Sequence, residues 1–149
     1  MEKAKVFNKK VHMCRKEKYM ESYLQYGEEK IFEAGTVIYK AGDPNENKPI
    51  FFITAGLIKI EITLAGGAKF PLYLQPDSIF GLVEPLVECN RLTSAFAMEP
   101  SILYSWDLEN FELASGVSWE LALTSITGLT RLLRILNAEF GEKIGLIKR

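Results

Sequence analysis

The sequence predicts a mainly β protein, an antiparallel β-roll with an N-terminal helix before it and helices after it. Three observations predict this class. Short β-branched and aromatic runs recur through the centre of the chain, punctuated by Gly, Pro, Asn and Asp. In one of them Ile58, Ile60 and Ile62 alternate with Lys59 and Glu61, the period-two pattern of a sheet with one dry face. From Asp107 onward apolar residues return at three- and four-residue spacing instead, which is helical.

The elements follow in order. Residues 1–14 form a basic N-terminal arm, and residues 15–149 a single domain whose roll covers about 30–106 and whose C-terminal helices cover about 107–140. Tyr19, Met20, Tyr23 and Leu24 predict a short amphipathic helix over about 15–26, which Gly27 would stop. Thr36–Lys40 reads as a strand framed by Gly35 and by the turn Gly42-Asp43-Pro44-Asn45. Phe51–Thr54 and Leu57–Ile62 follow on either side of Gly56. A Gly66-Gly67 turn then leads into Phe70–Leu74, where Pro71 argues for a sheet edge or a bulge. Thr93–Met98 and Ile102–Trp106 complete the roll. Leu108, Phe111 and Leu113 indicate a short helix, and Ser118 is placed to cap a longer one running to about Phe140. Its stripe of Leu129, Leu132, Leu133, Leu136 and Phe140 suits either a two-helix dimer seam or packing back onto the roll.

Composition narrows the function. The 149 residues are 48% apolar and 25% charged, enough for one core without a metal or disulfide staple. Net charge is −1, so no global field draws the chain to nucleic acid or an anionic membrane. Cys14 and Cys89 are isolated thiols outside any CxxC pair, and the start of the chain lacks an apolar signal-like run. Both point to a reducing, cytoplasmic setting. His12 is the only histidine and lies in the basic arm. That leaves no ligand set for a metal-dependent β-roll enzyme and no histidine for a hydrolytic triad inside the roll. The expectation is a non-enzyme without a metal or resident cofactor.

The segment Phe32-Glu33-Ala34-Gly35-Thr36-Val37-Ile38-Tyr39-Lys40-Ala41-Gly42-Asp43, followed by Phe51-Phe52-Ile53-Thr54-Ala55-Gly56-Leu57-Ile58-Lys59-Ile60, resembles the first half of the cyclic-nucleotide-binding domain family. Gln75–Gly81 resembles the approach to that family's phosphate-binding cassette, and Arg91–Ala95 its end. The resemblance covers about residues 30–112 and implies a jelly-roll-type β-roll that senses a cyclic nucleotide, cAMP or cGMP. Family transcription factors add a winged helix–turn–helix after the long helix. The chain ends at Arg149, so no DNA binding is expected of it alone, and a homodimer through the long helix is one of the two uses open to that helix.

The resemblance also assigns roles. Gly81, Leu82, Val83, Arg91, Thr93 and Ser94 would surround the phosphate, with Pro85 suited to the first turn of a short cassette helix. Arg91 matches the family's phosphate arginine, whose planar fork suits two phosphate oxygens. An ion pair with Glu84 or Glu88 is the competing use of Arg91. The family's ribose-binding glutamate is replaced by Leu82, which accepts no hydrogen bond; losing that partner costs about 1–3 kcal/mol. Glu84 is the substitute candidate for the ribose, and Thr127, Thr130 and Arg131 on the long helix are candidates for the base. Cys89-Asn90 stands where the family often has a proline, which predicts a softer loop. Cys89 reads as a small filler or a thiol beside an arginine. Two functions follow: a sensor of a phosphate-containing effector relaying through the C-terminal helix, or a degenerate relative serving dimerisation or protein–protein contact.

Overall fold

The computed structural model describes residues 24, 26–44, 48–64 and 66–144. The basic arm, with Cys14 and His12, and nearly all of the expected N-terminal helix lie outside the described residues. Eight strands form two four-stranded sheets. They are β1 (Glu28–Phe32), β2 (Val37–Tyr39), β3 (Ile50–Ala55), β4 (Ile58–Thr63), β5 (Lys69–Leu74), β6 (Ile79–Phe80), β7 (Thr93–Ala97) and β8 (Ser101–Trp106). Among the described residues three helices follow in order: α1 (Val83–Val87) between β6 and β7, then α2 (Leu108–Val117) and α3 (Trp119–Ile144). One sheet runs β1-β8-β3-β6 and the other β2-β7-β4-β5, with every pairing antiparallel. The expected antiparallel roll is the observed one.

Two cores explain the pattern of apolar residues. Between the sheets lie Tyr39, Phe51, Ile53, Ile58, Ile60, Phe80, Ala95, Ala97 and Leu103. Outside the first sheet a second core joins Ile50, Phe52, Leu82 and Trp106 to Phe111 and Ala114 of α2 and Leu121 of α3. β3 serves both, Phe51 and Ile53 on one face and Ile50 and Phe52 on the other. A strand covered on two faces has no polar alternation. β4, covered on one face, keeps it.

Turns and caps obey the local chemistry. Pro71 sits in β5, at the edge of its sheet, where a missing N–H costs no ladder bond. Gly56 has φ of +103°, and a Cβ there would lie 2.7 Å from the Ser101 Cα, so only glycine fits between β3 and β4. Asp107 accepts from the Asn110 amide at 2.7 Å and caps α2. The Ser118 hydroxyl accepts from the Leu121 amide at 3.4 Å at the start of α3. The inner side of α3 buries Leu121 and Ser125 and brings Leu129 against the second core.

Candidate functional site, the loop and helix between β6 and β7

The segment from Phe80 to Ser94 leaves the first sheet, makes one short helix and returns into the second sheet. Its geometry is organised by Arg91. The backbone of Arg91 is tied to the β2–β3 turn: Gly42 N–H donates to the Arg91 carbonyl at 2.7 Å, and Arg91 N–H donates to the Asp43 carbonyl at 3.0 Å. From that fixed point the side chain turns into the protein, where Arg91 is 3% exposed.

Both terminal nitrogens of its guanidinium are engaged. Nη1 donates to the Gly81 carbonyl at 3.0 Å and faces Glu84 Oε2 at 3.4 Å. Nη2 donates to the Pro49 carbonyl at 2.6 Å. The plane lies over the Tyr39 ring, 4.1 Å from its centroid, a cation–π arrangement that gains strength when water is excluded. Tyr39 itself stacks against Phe51 and packs on Phe80, and burial pushes its phenol up to about 12. The arginine is thus seated on the aromatic end of the roll's inner core.

Glu84, in α1, is likewise 3% exposed. Its second oxygen, Oε1, accepts from the Leu92 backbone N–H at 3.1 Å. One carboxylate therefore takes the arginine on one oxygen and the adjacent amide on the other. Gly81 makes room for this, with φ of +73° and a hypothetical Cβ only 2.9 Å from Arg91 Nη1.

The other sequence candidates are placed as follows. Leu82 is buried in the second core, against the residues that bind α2 and α3 to the sheet. Val83 opens α1 and is half-buried. The Thr93 hydroxyl lies 3.3 Å from the Tyr39 phenol, and the Ser94 hydroxyl accepts from Ala41 N–H at 2.9 Å. Both hydroxyls are used to join β7 to β2 and its turn. On α3, Thr127 is half-buried, while Thr130 and Arg131 are exposed. Thr130 donates back to the Ile126 carbonyl of its own helix. Among the described residues no hydrogen bond or ion pair joins any of these three to the loop around Arg91.

Sequence reading missed Lys48. It is 6% exposed and its ammonium donates to the Cys89 carbonyl. With Arg91 bonded to Pro49, this makes two buried cations that lace the approach to β3 to the loop before β7. The loop that lacks a proline is held by these ties instead. Among the described residues Lys48 has no ion-pair partner, and no group of three or more His, Cys, Asp or Glu is placed to hold a metal. No described helix is long and apolar enough to cross a membrane.

The family model for the cyclic nucleotide-binding domain matches residues 29–114, which include both sheets and this loop. The chain belongs to the cyclic nucleotide-binding domain family. Solved structures agree on the fold. The catabolite activator protein of Thermus thermophilus superposes with a TM-score of 0.70 at 24% identity, over 87% of this chain and 60% of its own. The present chain thus spans about 60% of that relative's length. The heme domain of CooA from Carboxydothermus hydrogenoformans gives 0.66 at 17% identity, over 83% of this chain and 85% of its own. The regulatory subunit of a cAMP-independent protein kinase A from Trypanosoma cruzi, bound to guanosine, gives 0.55 at 18% identity, over 61% of this chain and 32% of its own. No curated protein matches the sequence. The matched residues include the loop between Phe80 and Ser94, and the family is mainly one of regulatory sensor domains.

Proposed function

We propose that this domain is a regulatory module that works without capturing the phosphate of cAMP or cGMP in the family's manner, the degenerate branch of the two readings that the sequence allows. One observation carries the proposal: Arg91, matched to the phosphate arginine, is buried with both terminal nitrogens bonded to Glu84, Gly81 and Pro49 and its plane seated on Tyr39.

Magnitudes support the choice. A micromolar ligand binds with about 8 kcal/mol. The leucine at position 82 removes a ribose partner worth about 1–3 kcal/mol. Parting a buried ion pair costs about 3–5 kcal/mol more. Together these bring a micromolar site to millimolar or weaker. Relatives of the same fold, a heme domain and a guanosine-bound subunit, fit a scaffold that does not depend on a cyclic nucleotide phosphate.

Output would pass through the helices. Leu82 ties the cassette loop to α2 and α3 within one core, so a change in either moves both. Outward on α3, Trp119, Leu123, Ile126 and Leu133 are exposed at four-, three- and seven-residue steps, a seam suited to a second copy of the chain. Thr127, Thr130 and Arg131 belong to that helix and would serve the dimer rather than a base.

A second reading rests on Lys48. Lys48 and Arg91 are both buried, and among the described residues only Arg91 has a carboxylate partner; an anionic effector would balance the excess. Melting with excess cAMP, cGMP and cyclic dinucleotides separates the two. Ligand at about 100 times its dissociation constant adds about 2.7 kcal/mol. The proposal expects no shift beyond that of inorganic salt. A rise of several degrees with any one of them, lost in Arg91→Ala, would establish the second reading.

A further inference from the structure

Glu84 bears on ligand selectivity in a way that an ordinary structural ion pair does not. Its carboxylate is almost fully buried, and its two oxygens are divided between two donors of different kinds. Oε2 faces the Arg91 guanidinium, and Oε1 accepts the N–H of the next residue, Leu92. One guanidinium nitrogen and an adjacent backbone amide, each on its own oxygen of a single carboxylate, form a ready-made oxyanion seat.

We infer that Glu84 is a tethered anion, a carboxylate supplied by the chain itself that fills the cassette's anion seat and sets its charge selectivity against anionic ligands. The inference rests on the functional reading above, since it takes Arg91 as the residue a ligand phosphate would need. Three features support it. The carboxylate reaches the seat from α1, one helical turn after Gly81, so the tether is short and the local concentration of the anion is high. Gly81 has no side chain to separate the two groups, and a Cβ there would strike Arg91. The Lys48 tie to Cys89 and the Arg91 tie to Pro49 hold the loop closed around the pair, so the seat is formed before any ligand arrives. Filled in this way, the seat offers a ligand phosphate neither the Arg91 Nη1 donor facing Glu84 nor the Leu92 amide.

The test removes the tether's charge and its bulk separately. Glu84→Gln keeps the shape and frees Arg91 of its counter-charge; Glu84→Ala also vacates the volume. Binding of cAMP is measured by calorimetry for wild type, Glu84→Gln and the double variant Glu84→Gln/Arg91→Ala. The inference expects Glu84→Gln to bind at least about tenfold more tightly than wild type, with the gain lost in the double variant. Equal affinity in wild type and Glu84→Gln, or a gain that survives loss of Arg91, overturns it. Inorganic phosphate against chloride at matched ionic strength, read as melting temperature, gives a second measurement. Glu84→Ala, or Glu84→Gln should Glu84→Ala not fold, must be stabilised by phosphate more than wild type is. No difference between variant and wild type overturns the inference. Failure of the functional reading looks different: wild type itself would bind cAMP at micromolar concentration.

Discussion

Replacing Arg91 with methionine, which keeps the length of the stem and removes the fork, should destabilise the domain severely. The loss can be worked from the contacts. Arg91 and Glu84 side chains are 2% and 4% exposed, so water cannot replace the lost partner. Stranding one member of a buried pair costs about 3–5 kcal/mol. The carbonyls of Gly81 and Pro49 lose donors at 3.0 and 2.6 Å, and part of that figure is their unmet hydrogen bonding, about 1–3 kcal/mol per buried group. Adding Glu84→Gln to Arg91→Met removes the stranded charge and should recover part of the loss, a coupling of at least about 1 kcal/mol. Urea unfolding at neutral pH of wild type, both single variants and the double variant measures this. The slope against denaturant must stay constant for the comparison to hold. A loss under about 1 kcal/mol for Arg91→Met, or strictly additive variants, would refute the claim that the pair is buried and coupled.

Other outcomes follow from the same geometry. Gly56→Ala, with its positive φ and the Ser101 backbone in the way, should cost about 2–5 kcal/mol, whereas Gly35→Ala, with φ of +84° but open space around it, should cost only about 1–2 kcal/mol; chemical denaturation of both checks the difference. Because burial holds the Tyr39 phenol near 12 in the folded protein against an ordinary 10.0, the unfolded chain releases that proton first as pH rises. Tyr39 therefore contributes its full stability below pH 10 and loses it between about 10 and 12, a fall of about 3 kcal/mol. Tyr39→Phe should be free of that component when its alkaline unfolding is compared with that of wild type. On α3, Leu123→Glu places a charge in the exposed seam and should shift sedimentation velocity from dimer to monomer, without lowering the melting temperature of the monomer.

Much of the roll was legible because its physics is local. Ile58, Ile60 and Ile62 alternate in the sequence and face one core in the fold, and Pro71 marked the sheet edge. β1 was not legible: its Glu28-Glu29-Lys30 start is charged, Ile31 is exposed, and only Phe32 packs on the inner core. β6, two residues long, offers no period to read. The candidate site divides the same way. Arg91 and Glu84 could be named from their positions in the cassette, and their pairing was one of two open uses. Which use the fold adopts depends on contacts from distant segments, Tyr39 and Pro49, that no spacing within the cassette reveals. Leu82 looked like a missing acceptor; in three dimensions it is a plug between the cassette and α2 and α3. Lys48 follows a turn-rich stretch of Asp, Pro and Asn where a lysine normally marks a solvated loop, and only its tie to Cys89 shows otherwise.

The most direct measurement of all is to observe the Arg91 guanidinium itself by nitrogen-resolved NMR while cAMP is added to the millimolar range. A side chain held by Glu84, Gly81 and Pro49 should show slowly exchanging protons whose resonances stay put throughout the titration. Saturable movement of those resonances at micromolar nucleotide would mean that the arginine is available to an outside phosphate, and the account given of this cassette would be wrong.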